Sequence, residues 1–117
     1  MTAGIYNFTL DQGSVFYINL QYKDPDGNPI NLNGNTARMQ LRRQYGYPVV
    51  LTLTTDPGDG IVITGATGNI AIEITDERTE LLESGFYVYD LELDNAGVIT
   101  RLIQGTLTVS PQVTANV

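Results

Sequence analysis

The side chains best supplied with oxygen for holding a metal ion lie close together. Asp24, Asp26 and Asn28 fall in Lys23-Asp-Pro-Asp-Gly-Asn-Pro-Ile-Asn-Leu-Asn-Gly34. A calcium loop of the EF-hand kind takes oxygens from positions 1, 3 and 5, a glycine at 6 and a bidentate glutamate at 12. Counted from Asp24, the first three places are filled, but the sixth is Pro29 and the twelfth is Asn35. No other starting point restores the glutamate. The same residues suit a type I turn, with Asp24 first, Pro25 next and Gly27 last. The spacing therefore predicts a structural bend, with a weak, non-EF calcium site on Asp24, Asp26 and Asn28 as the alternative.

Other chemistry finds little to work with. Histidine and cysteine are absent, which removes the usual general base near neutral pH and all thiolate or disulfide chemistry. The serines have no histidine partner, and Lys23, the only lysine, stands beside the bend. The carboxylates are scattered through turns and outward strand faces, with no sign of the buried pair that acid–base catalysis needs. Gly58-Asp-Gly60 lacks the third glycine of a dinucleotide fingerprint, and no glycine-rich run ends in Lys-Ser or Lys-Thr. Asn7-Phe-Thr9 matches the glycosylation triplet, which is idle without export. The expectation is a protein that is not an enzyme and needs no cofactor. A net charge of −7 repels phosphate backbones and argues against nucleic acid as a partner. No apolar run of about 18 residues and no signal peptide is visible, so neither a membrane span nor export is expected.

The elements that must carry these residues follow a period of two. Phe16, Ile18, Leu20 and Tyr22 share one face of a strand; Ala37, Met39 and Leu41 share one face of another, with Arg38, Gln40 and Arg42 opposite. Further strands are expected at 5–10, 49–54, 61–64, 69–75, 86–94 and 98–109. Asp56-Pro-Gly-Asp-Gly60 reads as a type II turn, and Asp94-Asn-Ala-Gly97 as a hairpin loop closed by a left-handed glycine. Gly105, inside the last strand, predicts a bulge or bend. Thr75 to Gly85 breaks the alternation and predicts a short helical turn near 76–83. These are the marks of one all-β domain over 1–117, an immunoglobulin-like antiparallel β-sandwich of about 7–8 strands. In that frame Tyr87 follows a corner and ties its hydroxyl to nearby backbone. Residues 1–4 and 111–117 are expected to extend as terminal arms, able to add to a neighbour's sheet edge through Pro111 and Val113.

The same frame makes the strands at 36–44 and 86–94 neighbours. Arg38 and Arg42 then oppose Asp90 and Glu92, either as cross-strand pairs or as a docking patch. Tyr45 and Tyr47 sit in a connection with Gly46 and Pro48, where burial of both is hard. They are candidates for interface anchoring, for stacking on sugars, or for covering the end of the sandwich.

Several stretches together resemble a known group. They are Ala3-Gly-Ile-Tyr-Asn-Phe8, Gln12-Gly13, Tyr22-Lys-Asp followed by Gly27-Asn-Pro-Ile30, Thr36-Ala-Arg-Met-Gln-Leu-Arg42, Gly85 with Tyr87 and Tyr89-Asp-Leu-Glu92, and Gly105 with Leu107 and Val109-Ser-Pro111. The chain is similar to small β-sandwich proteins of tailed bacteriophages, which resemble the N-terminal immunoglobulin-like modules of baseplate and tail-fibre proteins. That resemblance covers almost the whole chain and has no catalytic motif to carry over. It implies a virion structural protein, assembled in the host cytoplasm. Many copies or a homo-oligomer would bind other particle proteins, at the tail or baseplate. A capsid decoration protein is the alternative within the class. A carbohydrate-binding host-attachment module using Tyr45 and Tyr47 is the alternative outside it.

Overall fold

The computed structural model describes residues 4–114, and within them two β-sheets face each other across one apolar core. Nine strands lie among the described residues: β1 (Gly4–Ile5), β2 (Phe8–Asp11), β3 (Phe16–Gln21), β4 (Thr36–Arg42), β5 (Val49–Thr54), β6 (Ile61–Thr64), β7 (Asn69–Ile74), β8 (Gly85–Asn95) and β9 (Val98–Ser110). A 3-10 turn (Gly65–Thr67) and one short helix, α1 (Asp76–Glu80), complete the inventory. The larger sheet runs β1-β9-β8-β4-β5, with β2 following β1 along the same edge of β9; the smaller runs β3-β7-β6. This is the strand order of an immunoglobulin-like sandwich with one extra edge strand, β5, beside β4.

Two details correct the sequence expectation. The first strand is split in two, and both halves pair with β9 in parallel, so the sandwich is not wholly antiparallel. The split has a physical cause at Gly105. A Cβ there would stand 2.1 Å from the Tyr6 carbonyl oxygen, so the glycine admits the close approach of the kinked chain between β1 and β2. The register bulge in β9 lies elsewhere, at Leu102: Leu91 pairs with Ile103 and Glu92 with Arg101, and Leu102 and Ile103 are both buried.

Alternation builds the core as expected. On β8, Tyr87, Tyr89, Leu91 and Leu93 point inward; on β4, Ala37, Met39 and Leu41 do; and Ile70, Ile72 and Ile74 meet them from β7. Phe16, Ile18 and Leu20 also face inward, but only half-buried, because β3 pairs with β7 on one side and forms the sheet edge on the other. Burying a side chain of this size contributes about 1.5–3 kcal/mol, so the β7 and β8 rows dominate stability.

The chain around α1 is tied down by polar contacts. Thr75 caps the helix by accepting the Arg78 N–H. Thr79, fully buried, accepts from the Gly13 N–H at 3.1 Å and lies 2.8 Å from the Ser14 carbonyl, which its hydroxyl can donate to. Of the leucine pair, Leu82 is buried and Leu81 is 84% exposed. The Tyr87 hydroxyl donates to the Glu83 carbonyl at 2.6 Å, four residues upstream, which makes the expected corner. The Arg43 guanidinium lies over the Tyr87 ring at 4.3 Å from its centre.

The expected arms change most. Gly4 belongs to β1 rather than to an arm, and residues 1–3 and 115–117 lie outside the described residues. Gln112 folds back: its backbone N–H donates to Gln12 Oε1 at 3.2 Å and its side-chain amide to Glu80 Oε1 at 3.2 Å. The segment leaving β9 is thus held against α1 as far as Gln112, because two glutamines and Glu80 offer it complementary polar groups.

Candidate functional site

The oxygen-rich stretch folds as a bend. The Gly27 N–H donates to the Asp24 carbonyl at 3.0 Å, and the Asp24 N–H to the Asn28 carbonyl at 2.9 Å. Gly27 takes a φ of 86°, which side-chain-bearing residues resist. Asp24 Oδ1 accepts from the backbone N–H groups of Asp26 and Asn28 at 3.0 and 2.9 Å, so that oxygen organises the turn. Among the described residues, no three acidic side chains converge closely enough to hold a metal ion.

The polar groups converge instead on the outer face of the larger sheet. Because β4, β8 and β9 are antiparallel neighbours, their outward residues line up in rows across the strands, about 4.8 Å apart. One row is Gln40–Asp90–Gln104; the next is Arg38–Glu92–Arg101. Beyond the first row, Arg42 faces Val88. The connection from β4 to β5 turns at Gln44–Tyr47, closed by the Tyr47 N–H on the Gln44 carbonyl at 3.1 Å, and brings Tyr45 and Gly46 alongside. Together these residues, Arg38 excepted, line an open groove of about 260 Å³.

The expected charge pairing is half met. Arg38 Nη2 lies 3.4 Å from Glu92 Oε1. Asp90, however, pairs with Arg101, Nε to Oδ2 at 3.5 Å, and Arg42 donates to the Tyr47 carbonyl. Register explains this correction: Asp90 lies opposite Gln40, while Arg42 is carried one row further along. Arg101 and Gln104 were not singled out from sequence, and Gln40 was read as outward-facing but not as a candidate site residue. The signal that would find them is cross-strand register, with the bulge at Leu102 counted in.

Electrostatics mark Asp90. Partial burial raises its carboxyl above the ordinary aspartate value, the neighbouring Glu92 charge adds to the rise, and Arg101 offsets part of it. Three of the chain's six cationic side chains, Arg38, Arg42 and Arg101, stand on this one face. The face is near neutral in a strongly acidic protein.

The remaining candidates fall into place around it. Tyr45 and Tyr47 are 78% and 49% exposed, so neither covers the end of the sandwich by burial. The run from Gln44 to Val50 is exposed throughout. Pro111 and Val113 are exposed, at the far end of β9 from the Val98 hairpin. Among the described residues, no helix is long and apolar enough to cross a membrane. No protein-family model matches the chain, and no relative is found among curated proteins.

Proposed function

We propose that this chain is a non-enzymatic structural protein of a tailed-phage virion, binding other particle proteins at the tail or baseplate in multiple copies. The observation that carries the reading is the exposed run Gln44-Tyr-Gly-Tyr-Pro-Val-Val50. It sets two tyrosines and two valines in water at the start of β5, itself an edge strand with no charged residue. Isolated domains guard such edges with charge, and tyrosines at low entropic cost are the usual anchors of protein contacts. The resemblance to phage β-sandwich proteins supports the same reading, since the residues carrying it fall on the bend at 23–30 and on the strands β4, β8 and β9 that hold the fold. Multivalency would supply the affinity, each copy contributing a modest interface.

The test is particle incorporation. Purified virions are expected to contain the protein, by mass spectrometry, and electron microscopy to place it in the tail. Tyr47→Ser with Val50→Ser is expected to lower incorporation at least tenfold while leaving the thermal midpoint within a few degrees. Virions free of the protein would overturn the reading, and density confined to the capsid shell would transfer it to decoration.

A further inference from the structure

The groove on the outer face holds polar groups that the fold itself leaves without partners. The Gln40 carboxamide makes no hydrogen bond among the described residues, although it stands at one end of the row and is half-buried. Gln104 accepts from Arg101 through Oε1 at 3.2 Å, which leaves its amide N–H groups free. Arg42 gives one N–H to the Tyr47 carbonyl, and a guanidinium has five. Beside them stands the exposed ring of Tyr45.

The chemistry of a fitting ligand follows from these groups. The row reads amide, carboxylate, amide, each on its own strand. It offers donors and acceptors at both ends and acceptors alone in the middle. A sugar hydroxyl both donates and accepts, so a ring carrying several can satisfy neighbouring places in the row. The apolar C–H face of such a ring suits the face of Tyr45. An apolar ligand would bury the amides unsatisfied, and an anionic one would meet the Asp90 carboxylate in the middle of the row. The volume, about 260 Å³, falls just below the range of about 300–1,000 Å³ typical of drug-sized sites, and fits a single ring with its neighbours in solvent.

We propose that the Gln40–Asp90–Gln104 row, walled by Tyr45, is a binding groove for one unit of a neutral saccharide. This site is independent of the assembly role: a virion lacking the protein would leave it untouched, and a failed sugar titration would leave the assembly role standing.

Saturation-transfer NMR on the full chain tests it, with glucose, galactose, mannose and N-acetylglucosamine, their short oligomers, and galacturonate as the charged comparison. At least one neutral sugar is expected to bind in the millimolar range, with transfer strongest from the Tyr45 ring. Tyr45→Ala and Gln104→Ala are each expected to weaken it at least tenfold. Tyr17→Ala, an exposed tyrosine on the smaller sheet, should leave it unchanged. Absence of transfer to every neutral sugar overturns the proposal. So does equal loss in the Tyr17 variant, or a protein segment filling the groove in the assembled particle. Unchanged thermal unfolding of the variants ensures that lost binding reads on the groove.

Discussion

Two aspartate–arginine pairs lie in this molecule, and they behave oppositely. Near α1, Asp59 Oδ1 meets Arg78 Nη2 at 3.0 Å while Oδ2 accepts from the Thr54 hydroxyl at 2.6 Å. Those hydrogen bonds, the Thr54 one foremost, hold the Asp59 carboxyl below the ordinary aspartate value. On the outer sheet face, Asp90 reaches Arg101 only at 3.5 Å, and burial pushes its carboxyl upward. One carboxylate is completed by the fold; the other is partly dried and left incomplete. The same contrast runs through their surroundings. Around α1, Thr79, Gln12, Gln112 and Tyr87 all find partners within the chain. On the face, Gln40 finds none among the described residues. Polar groups satisfied internally hold structure, whereas those held in place but unsatisfied are available to a ligand.

The largest effect that could break this contrast is loss of stability. Asp59→Ala is expected to cost about 1–2 kcal/mol, since charge-assisted hydrogen bonds contribute about 1.5–3 kcal/mol and this site is partly solvated. Asp90→Ala should stay within about 0.5 kcal/mol of the parent, as surface changes usually do. Urea unfolding at neutral pH measures both. Equal losses would show that Asp90 is as structural as Asp59.

Next in size is the corner. Tyr87→Phe removes the donor to the Glu83 carbonyl and is expected to cost about 1 kcal/mol, with the ring and its contact to Arg43 retained. Groove binding should be unaffected. A change in saccharide response without a change in stability would mean that the corner and the outer face are coupled.

Smaller still, and opposite in sign at the two sites, is the response to acid. Asp59, with its lowered value, contributes stability that is present above the unfolded-chain value of about 3.9 and lost as pH falls through the folded one. Asp90, with its raised value, favours the folded state only while protonated. Its contribution is present below about 3.9 and lost as pH rises through the folded value. Carboxyl carbon shifts followed by NMR through an acid titration should show Asp59 titrating below, and Asp90 above, the ordinary aspartate value of about 3.9. A common midpoint for the two would remove the electrostatic half of the comparison.

Much of the scaffold was legible in residue order because local rules and tertiary demands agree there. Ala37, Met39 and Leu41 alternate inward, the Asp24–Gly27 stretch has turn chemistry, and Tyr87 follows its corner. The site was less legible, for a reason of geometry. Gln40, Asp90 and Gln104 become neighbours only through two strand registers, and a one-residue bulge at Leu102 shifts which β9 residue meets Glu92. Period-two reading identifies the face on which Arg42 lies but not the row, so it paired Arg42 with the wrong strand position. The parallel docking of β1 and β2 escaped for a similar reason, since it depends on the space above Gly105 and not on the first ten residues alone.

The smallest expected effect lies where β8 turns into β9, the two strands that carry Asp90, Glu92, Arg101 and Gln104. Asn95 pairs with Val98, so the loop is the two residues Ala96 and Gly97, both with positive φ, at 52° and 91°. Both signs positive define a type I′ turn, whose twist matches the strands it joins. Sequence reading assigned the left-handed conformation to Gly97 alone; Ala96 adopts it too, against the steric cost that its Cβ incurs there, about 1–2 kcal/mol. Asparagine tolerates this conformation better, and Asn-Gly is a favoured pair for the turn. Ala96→Asn is therefore expected to stabilise the protein by about 0.5–1 kcal/mol, seen as a higher urea midpoint at unchanged slope. Because the turn lies beyond the rows, saccharide response and the titration of Asp90 should not move. A stabilised hairpin that also tightened binding would mean that the groove in the parent is loosely held, and that its open hydrogen bonds reflect motion of β8 against β9 instead of a fixed, incomplete site.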